Sequence, residues 1–279
     1  MISDFFSPLL TAATVVKILF YSGLVVWALI LFRPSARKQP ARLAPWSVSF
    51  SDFLACAIAV VGGGVFAQIL GGIILDPLLK KFSADHDAHL VAYGAALQFG
   101  LFAGVAVAHL YLRSQRKDTG ASAPRNGVPS LLFAGVLTFL AVLPVVDLIS
   151  IAWNKLLEWL GLPLEPQDLI GVFAHAKLSV SYVVLFLLAT VVAPVVEELI
   201  FRAGLFRYLR TRIPRWAALL LPALFFAMWH FNWASFCPLT ALAIVFSLAY
   251  ERTGRIGVTM IAHSLFNLTT ILLIQAGAR

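Results

Sequence analysis

An all-α, polytopic transmembrane helix bundle of about eight spans is the fold class the sequence predicts, and three observations predict it. Hydrophobic types make up 61% of the 279 residues and charged types 12%, about half the charge of a soluble domain. Mean hydropathy is +0.90, more apolar surface than a water-soluble globule of this size can hide. The apolar residues come in long continuous runs rather than alternating strand-length segments, which selects helices over a barrel. A soluble enzyme and a disordered chain are excluded. The formal charge of +8 does not point to nucleic acid, because no basic groove with interleaved aromatics is present. The partner expected for most of the surface is the lipid bilayer.

About 20 apolar residues cross a bilayer. The qualifying segments are 8–32, 53–75, 90–112, 129–152, 179–201, 217–232, 236–250 and 256–276. The sixth and seventh are short and closely joined. One continuous membrane domain is expected, with 1–178 as N-terminal helices plus an interfacial segment and 179–279 as the helices that carry the chemistry. The N-terminus lacks a basic stretch ahead of the first run, so a first span is expected there rather than a cleaved signal.

The basic residues set an orientation. Arg33, Arg37, Lys38 and Arg42 follow span one. Arg113, Arg116, Lys117 and Arg125 follow span three. Arg202, Arg207, Arg210, Arg212 and Arg215 follow span five, and Arg252 and Arg255 follow span seven. The other loops hold only Lys80, Lys81, Lys155 and Lys177. The positive-inside rule then puts the odd loops in the cytoplasm and both termini outside, in a bacterial inner membrane.

Smaller features have bland readings. Residues 154–178, with Trp153, Trp159, Pro163 and Pro166 in or beside them, suit a short helix and turn on the outer surface. Residues 203–216 suit an amphipathic continuation of span five. Lys17 snorkels or meets a partner helix. Gly100 and Gly104, and the Gly62-Gly63-Gly64 run, suit close helix packing. Gln68, Gln98 and His109 read as helix-contact residues. Asp147, after Pro144, lies near the outer surface or caps a kinked helix. The Asp85-His86-Asp87-x-His89 stretch reads as a solvated loop rather than a metal site. Cys56 and Cys237 read as small buried hydrophobes.

Charged groups in a span are costly and are functional suspects. Glu197 and Glu198 are adjacent in an apolar run and point about 100° apart on a helix, so they cannot share one role. Arg202, four residues after Glu198, is placed to pair with it. That pairing leaves Glu197 to face a cavity; the bland alternative puts both acids in interfacial ion pairs with the Arg-rich segment. His230 follows Phe226 by one turn, and Phe226 reads as wall. His263 and Asn267 share a face at i,i+4. Alone, each of these is readily helix-to-helix glue. Together, a carboxylate, two imidazoles and a carboxamide form a hydrolytic inventory of base, water-holding group and oxyanion donors, with no Ser or Cys nucleophile. Depth counting at 1.5 Å per residue puts Glu197 and His263 towards the cytoplasmic side. His230 agrees if its embedded helix starts near Pro222, where proline is favoured.

The motifs Glu197-Glu198-x-x-x-Arg202, Phe226-x-x-x-His230 and His263-x-x-x-Asn267 resemble the CPBP family of intramembrane proteases, the type 2 CAAX prenyl proteases and their Abi-type bacterial relatives. The run Tyr250–Gly257 is also similar to the stretch before that family's third motif. The resemblance covers roughly residues 180–270. It implies a cavity open to lipid and cytoplasm, and hydrolysis of a peptide bond in a membrane-associated, CAAX-type substrate. Glu197 is the implied general base, with His230 helping to hold the water. His263 and Asn267 are the implied oxyanion donors, and Glu198 with Arg202 the implied structural pair. Two mechanisms stay open: Glu197, His230 and His263 as Zn²⁺ ligands with one open position, or the same groups without metal. Rival functions are a non-catalytic scaffold of the bacteriocin-immunity type and a proton-coupled transporter using Glu197 and Glu198. The transporter finds no support in inverted repeats.

Overall fold

The computed structural model describes residues 12–32, 42–81, 86–115, 128–164, 173 and 179–276. Its regular elements are all helical: α1 Ala12–Phe32, α2 Phe50–Lys81, α3 His86–Ser114, α4 Val128–Trp159, α5 Val180–Arg210, α6 Arg215–Met228, α7 Trp233–Thr253 and α8 Ile256–Gln275. All but α6 are long and apolar enough to cross a membrane, so the fold class holds. Asp85, the side chains of His86 and Asp87, and several loop basic residues (Arg33, Arg37, Lys38, Arg116, Lys117, Arg125, Lys177) lie outside the described residues.

Caps explain several boundaries. Ser49 precedes α2 and its hydroxyl accepts from the Asp52 N–H at 3.2 Å. Ser179 accepts from the Tyr182 N–H at 3.1 Å and starts α5. Asn232 accepts from the Ser235 N–H at 2.9 Å and starts α7. Such oxygens satisfy N–H groups that a helix start leaves without partners. Gly254 ends α7 at φ 66°, a left-handed cap that suits glycine.

The chain packs as two compact units. The first comprises Met1–Leu43, Pro124–His175 and Trp216–Arg279. Here α4 is central and packs on α1, α7 and α8. Trp27 donates to the Ala141 carbonyl at 2.8 Å, Trp153 to the Trp233 carbonyl at 2.7 Å, and Arg255 to Ser130 Oγ at 3.0 Å. The second comprises Ala44–Ala123 and Ala176–Arg215. In it α2 and α3 form an antiparallel hairpin in which a Cβ on Gly100 would meet the Gly63 carbonyl at 2.5 Å. Gly63, Gly100 and Gly104 are therefore where two backbones touch, whereas Gly64 meets the Leu101 side chain and Gly62 has open space beside it. Gln68 also makes its expected helix contact, donating to the Tyr93 carbonyl at 3.0 Å. His109 is exposed on α3 instead. At one end of this unit Trp46, Val48, Cys56, Ala108, Leu112 and Tyr208 form a core, and Phe53 stacks on Tyr208.

Three expectations need correction. The sixth apolar run, 217–232, is not a full span: α6 has 14 residues, ~21 Å, against a core of about 30 Å. It starts at Arg215 with Pro222 in its interior, so the start near Pro222 is not observed. The turn at His230 and Phe231 ends α6, and Asn232 starts α7, within a run that hydropathy alone carries onward. Residues 154–159 do not lie in a separate surface helix, because α4 continues through Trp159; its last turns keep an apolar side with Leu157 buried. Arg202 is not a loop charge: it is 1% exposed within α5.

Candidate active site

The acidic motif sits in α5, whose hydrogen bonding is irregular. Two π-helical stretches, Leu188–Val192 and Glu198–Phe206, flank the α-helical turn Ala193–Glu197. Pro194 has no N–H to continue the α ladder, and the widened turn before it accommodates that loss. The widened turn at Glu198 has no such proline, and such bulges recur at functional positions. The neighbouring carboxylates have different surroundings: Glu198 is fully buried and Glu197 half-buried. Arg202 Nη1 stands 2.9 Å from Glu198 Oε1, the ion pair expected of their spacing. In a low-dielectric interior, each partner makes the other's charge tolerable.

The basic end of α5 is tied to the segment ahead of α2. Arg207 Nε donates to the Ala44 carbonyl at 3.5 Å, and its guanidinium stands over the Trp46 ring. Arg212 donates to the Val48 carbonyl and stacks on Tyr208. The helix that carries Glu197 is thus fixed at its far end by chain Ala44–Val48.

The imidazoles belong to the other unit. Phe226 lies in the last turn of α6, fully buried. Its carbonyl lies 2.8 Å from His230 Nδ1. A carbonyl only accepts, so Nδ1 carries the hydrogen and a neutral His230 presents Nε2 as an acceptor. The Phe226 ring lies 4.8 Å from the His230 ring and 5.9 Å from the His263 ring, centroid to centroid. His230 is not on a span but in the turn between α6 and α7, where the next residue, Phe231, has φ 48°. His263 is buried on α8, and Asn267, one turn on, is half-buried.

The structure therefore gathers the candidates as Glu198 with Arg202, beside Glu197, and as His230 with His263 around Phe226. Sequence reading missed the Phe226 carbonyl as the partner of His230 Nδ1. It also missed Phe246, whose ring lies 5.5 Å from His263; no local spacing links those residues. Among the described residues, no three His, Cys, Asp or Glu side chains gather as a metal-ligand group within either unit.

Comparison with known proteins bears on the same stretch. The family described as "Type II CAAX prenyl endopeptidase Rce1-like" matches residues 179–269, the segment holding all three motifs. A Bacillus subtilis (strain 168) protein named "Putative membrane peptidase YdiL" is 26% identical over 209 residues, covering 72% of this chain and 82% of that protein. No solved structure matches. The resemblance drawn from the three motifs is borne out over the segment that carries them, and the chain is an integral membrane protein.

Proposed function

Because residues 179–269 of this helical membrane protein match the family described as type II CAAX prenyl endopeptidase Rce1-like, we propose that the chain is an intramembrane endopeptidase. Its substrate is a membrane-associated peptide or protein, with a prenylated CAAX-type peptide as the first to test. The single observation that carries this reading is the arrangement at Phe226: one residue of the matched segment packs on both motif imidazoles and fixes the tautomer of one of them.

The roles follow from the chemistry of the groups. Nε2 of His230 accepts a hydrogen bond from the water. Glu197 takes the proton as the water oxygen attacks the scissile carbonyl carbon. His263 and Asn267 donate to the oxygen that becomes negative. Glu197 then returns the proton to the leaving nitrogen as the C–N bond breaks. A general base contributes about 10²–10⁴-fold, and an oxyanion donor about 10²–10³-fold. Glu198 and Arg202 hold the helix and do not touch substrate.

The donor set also suits Zn²⁺ in kind. His230 has its Nδ1–H on a carbonyl and Nε2 directed away, the arrangement metal-bound histidines use; Glu197 and His263 would complete three ligands. Such an ion would supply Lewis acidity and a more acidic water. The orientation that goes with this reading keeps both termini outside a bacterial inner membrane.

Purified protein with prenylated and unprenylated peptides tests the proposal. Glu197→Gln is expected to lower cleavage by at least about 10²-fold while the protein keeps its thermal unfolding profile. Undiminished cleavage by that variant would falsify the assignment, and an unaffected cellular phenotype would favour a scaffold. Chelation that stops cleavage, with recovery on Zn²⁺, selects the metal form; chelator-resistant cleavage selects the metal-free form.

A further inference from the structure

Phe246 lies near the middle of α7, outside the three motifs, and is fully buried. Its ring centroid is 5.5 Å from that of His263, at 46° between planes. Phe226, from α6, meets the same imidazole at 5.9 Å and 71°. His263 itself is 3% exposed. An imidazole turns about a broad, two-fold torsion at its ring bond, so its backbone position alone does not aim its nitrogens. Rings from two other helices press on this one. On the reading of His263 as an oxyanion donor, we infer that Phe246 is a positioning residue that sets the plane of the His263 imidazole.

Displacing a catalytic group by about 1 Å can cost about 10²-fold. Phe246→Leu keeps an apolar side chain and removes the ring. It is expected to lower kcat about ten- to hundredfold with KM within about twofold, whereas Phe246→Tyr, which keeps the ring, stays near wild type. Leu242→Ala, one turn earlier on α7 and equally buried, controls for general loosening of the helix. A kcat loss in Phe246→Leu no larger than in Leu242→Ala at similar thermal stability overturns the inference. Should Phe246→Leu not fold, Phe246→Met carries the same comparison.

A second readout needs no activity. In protein with ¹⁵N,¹³C-labelled histidine, the ring resonances assigned to His263 are expected to shift or broaden in Phe246→Leu and to stay in place in Phe246→Tyr. Unchanged resonances in Phe246→Leu overturn the inference. A wild-type protein that cleaves no peptide sinks the proposed function instead, and the His263 resonances still decide the role of Phe246.

Discussion

At the scale of single residues, the two acidic neighbours have different settings: Glu198 is fully buried against Arg202, and Glu197 is half-buried. Glu198 and Arg202 are both essentially out of contact with solvent. Removing one partner leaves a buried charge uncompensated, which costs about 3–5 kcal/mol. Arg202→Met and Glu198→Gln are each expected to lower the unfolding midpoint in detergent substantially. The double variant Glu198→Leu/Arg202→Met is expected to recover most of the loss, because replacing both members of a buried pair with apolar groups is often near neutral. Additive losses in the double variant would argue that each residue has separate partners of greater weight. The four-residue spacing made this pair legible in the sequence, since one helix places both groups on one face. The setting of His263 was not legible. Its neighbours Phe226 and Phe246 come from other helices, and periodicity along one helix carries no information about which rings a second helix supplies.

At the scale of elements, α6 and its turn show where hydropathy stops being informative. The run Phe225-Phe226-Ala227-Met228-Trp229 continues into Phe231 and Trp233, so apolar character does not mark the helix end. The end is set by backbone geometry: His230 and Phe231 donate to the Ala227 and Met228 carbonyls, and Phe231 takes a left-handed conformation. The polar cap at Asn232 was the signal available. A β-branched residue fits that conformation poorly, at a cost of about 1–2 kcal/mol, whereas glycine adopts it freely. Phe231→Val is thus expected to destabilise the protein and to disturb the neighbouring His230, while Phe231→Gly stays close to wild type in thermal stability. Equal midpoints for the two variants would show that the turn can relax. The α2/α3 hairpin was more legible, because small residues at four-residue spacing are what close backbones require. Gly100→Leu is expected to separate the two helices and lower stability, with no effect at an exposed position such as Val61.

At the scale of the whole molecule, the first unit fixes which ends of its helices lie together. Gly23 lies against Pro144, while Trp27 bonds to Ala141, so α1 runs opposite to α4. Trp153 meets Trp233, while Arg255 just beyond α7 meets Ser130, so α7 also runs opposite. Gly135 lies against Ile261, and Arg255 starts α8 beside Ser130, so α8 runs with α4. From Ser130 to Trp153 is ~35 Å along α4, enough to cross the hydrocarbon core. The start of α1 and the end of α8 therefore share one side. Arg42, whose N–H donates to the Glu251 carbonyl at 3.0 Å, gathers with Arg252 and Arg255 at the other. The positive-inside rule predicts that this basic end faces the cytoplasm. The helix directions, not a tally of full-length spans, carry this conclusion, because the 14-residue α6 is shorter than a crossing while α7 has 21 residues. In a background of Cys56→Ala and Cys237→Ala, cysteines at Ala13 and Gln275 are expected to react with a membrane-impermeant maleimide on intact cells. A cysteine at Val128 is expected to react only after permeabilisation. Labelling of all three with the sides exchanged would overturn the cytoplasmic assignment of the basic end and leave the bundle intact. Labelling of Ala13 and Gln275 from opposite sides would overturn the helix directions themselves.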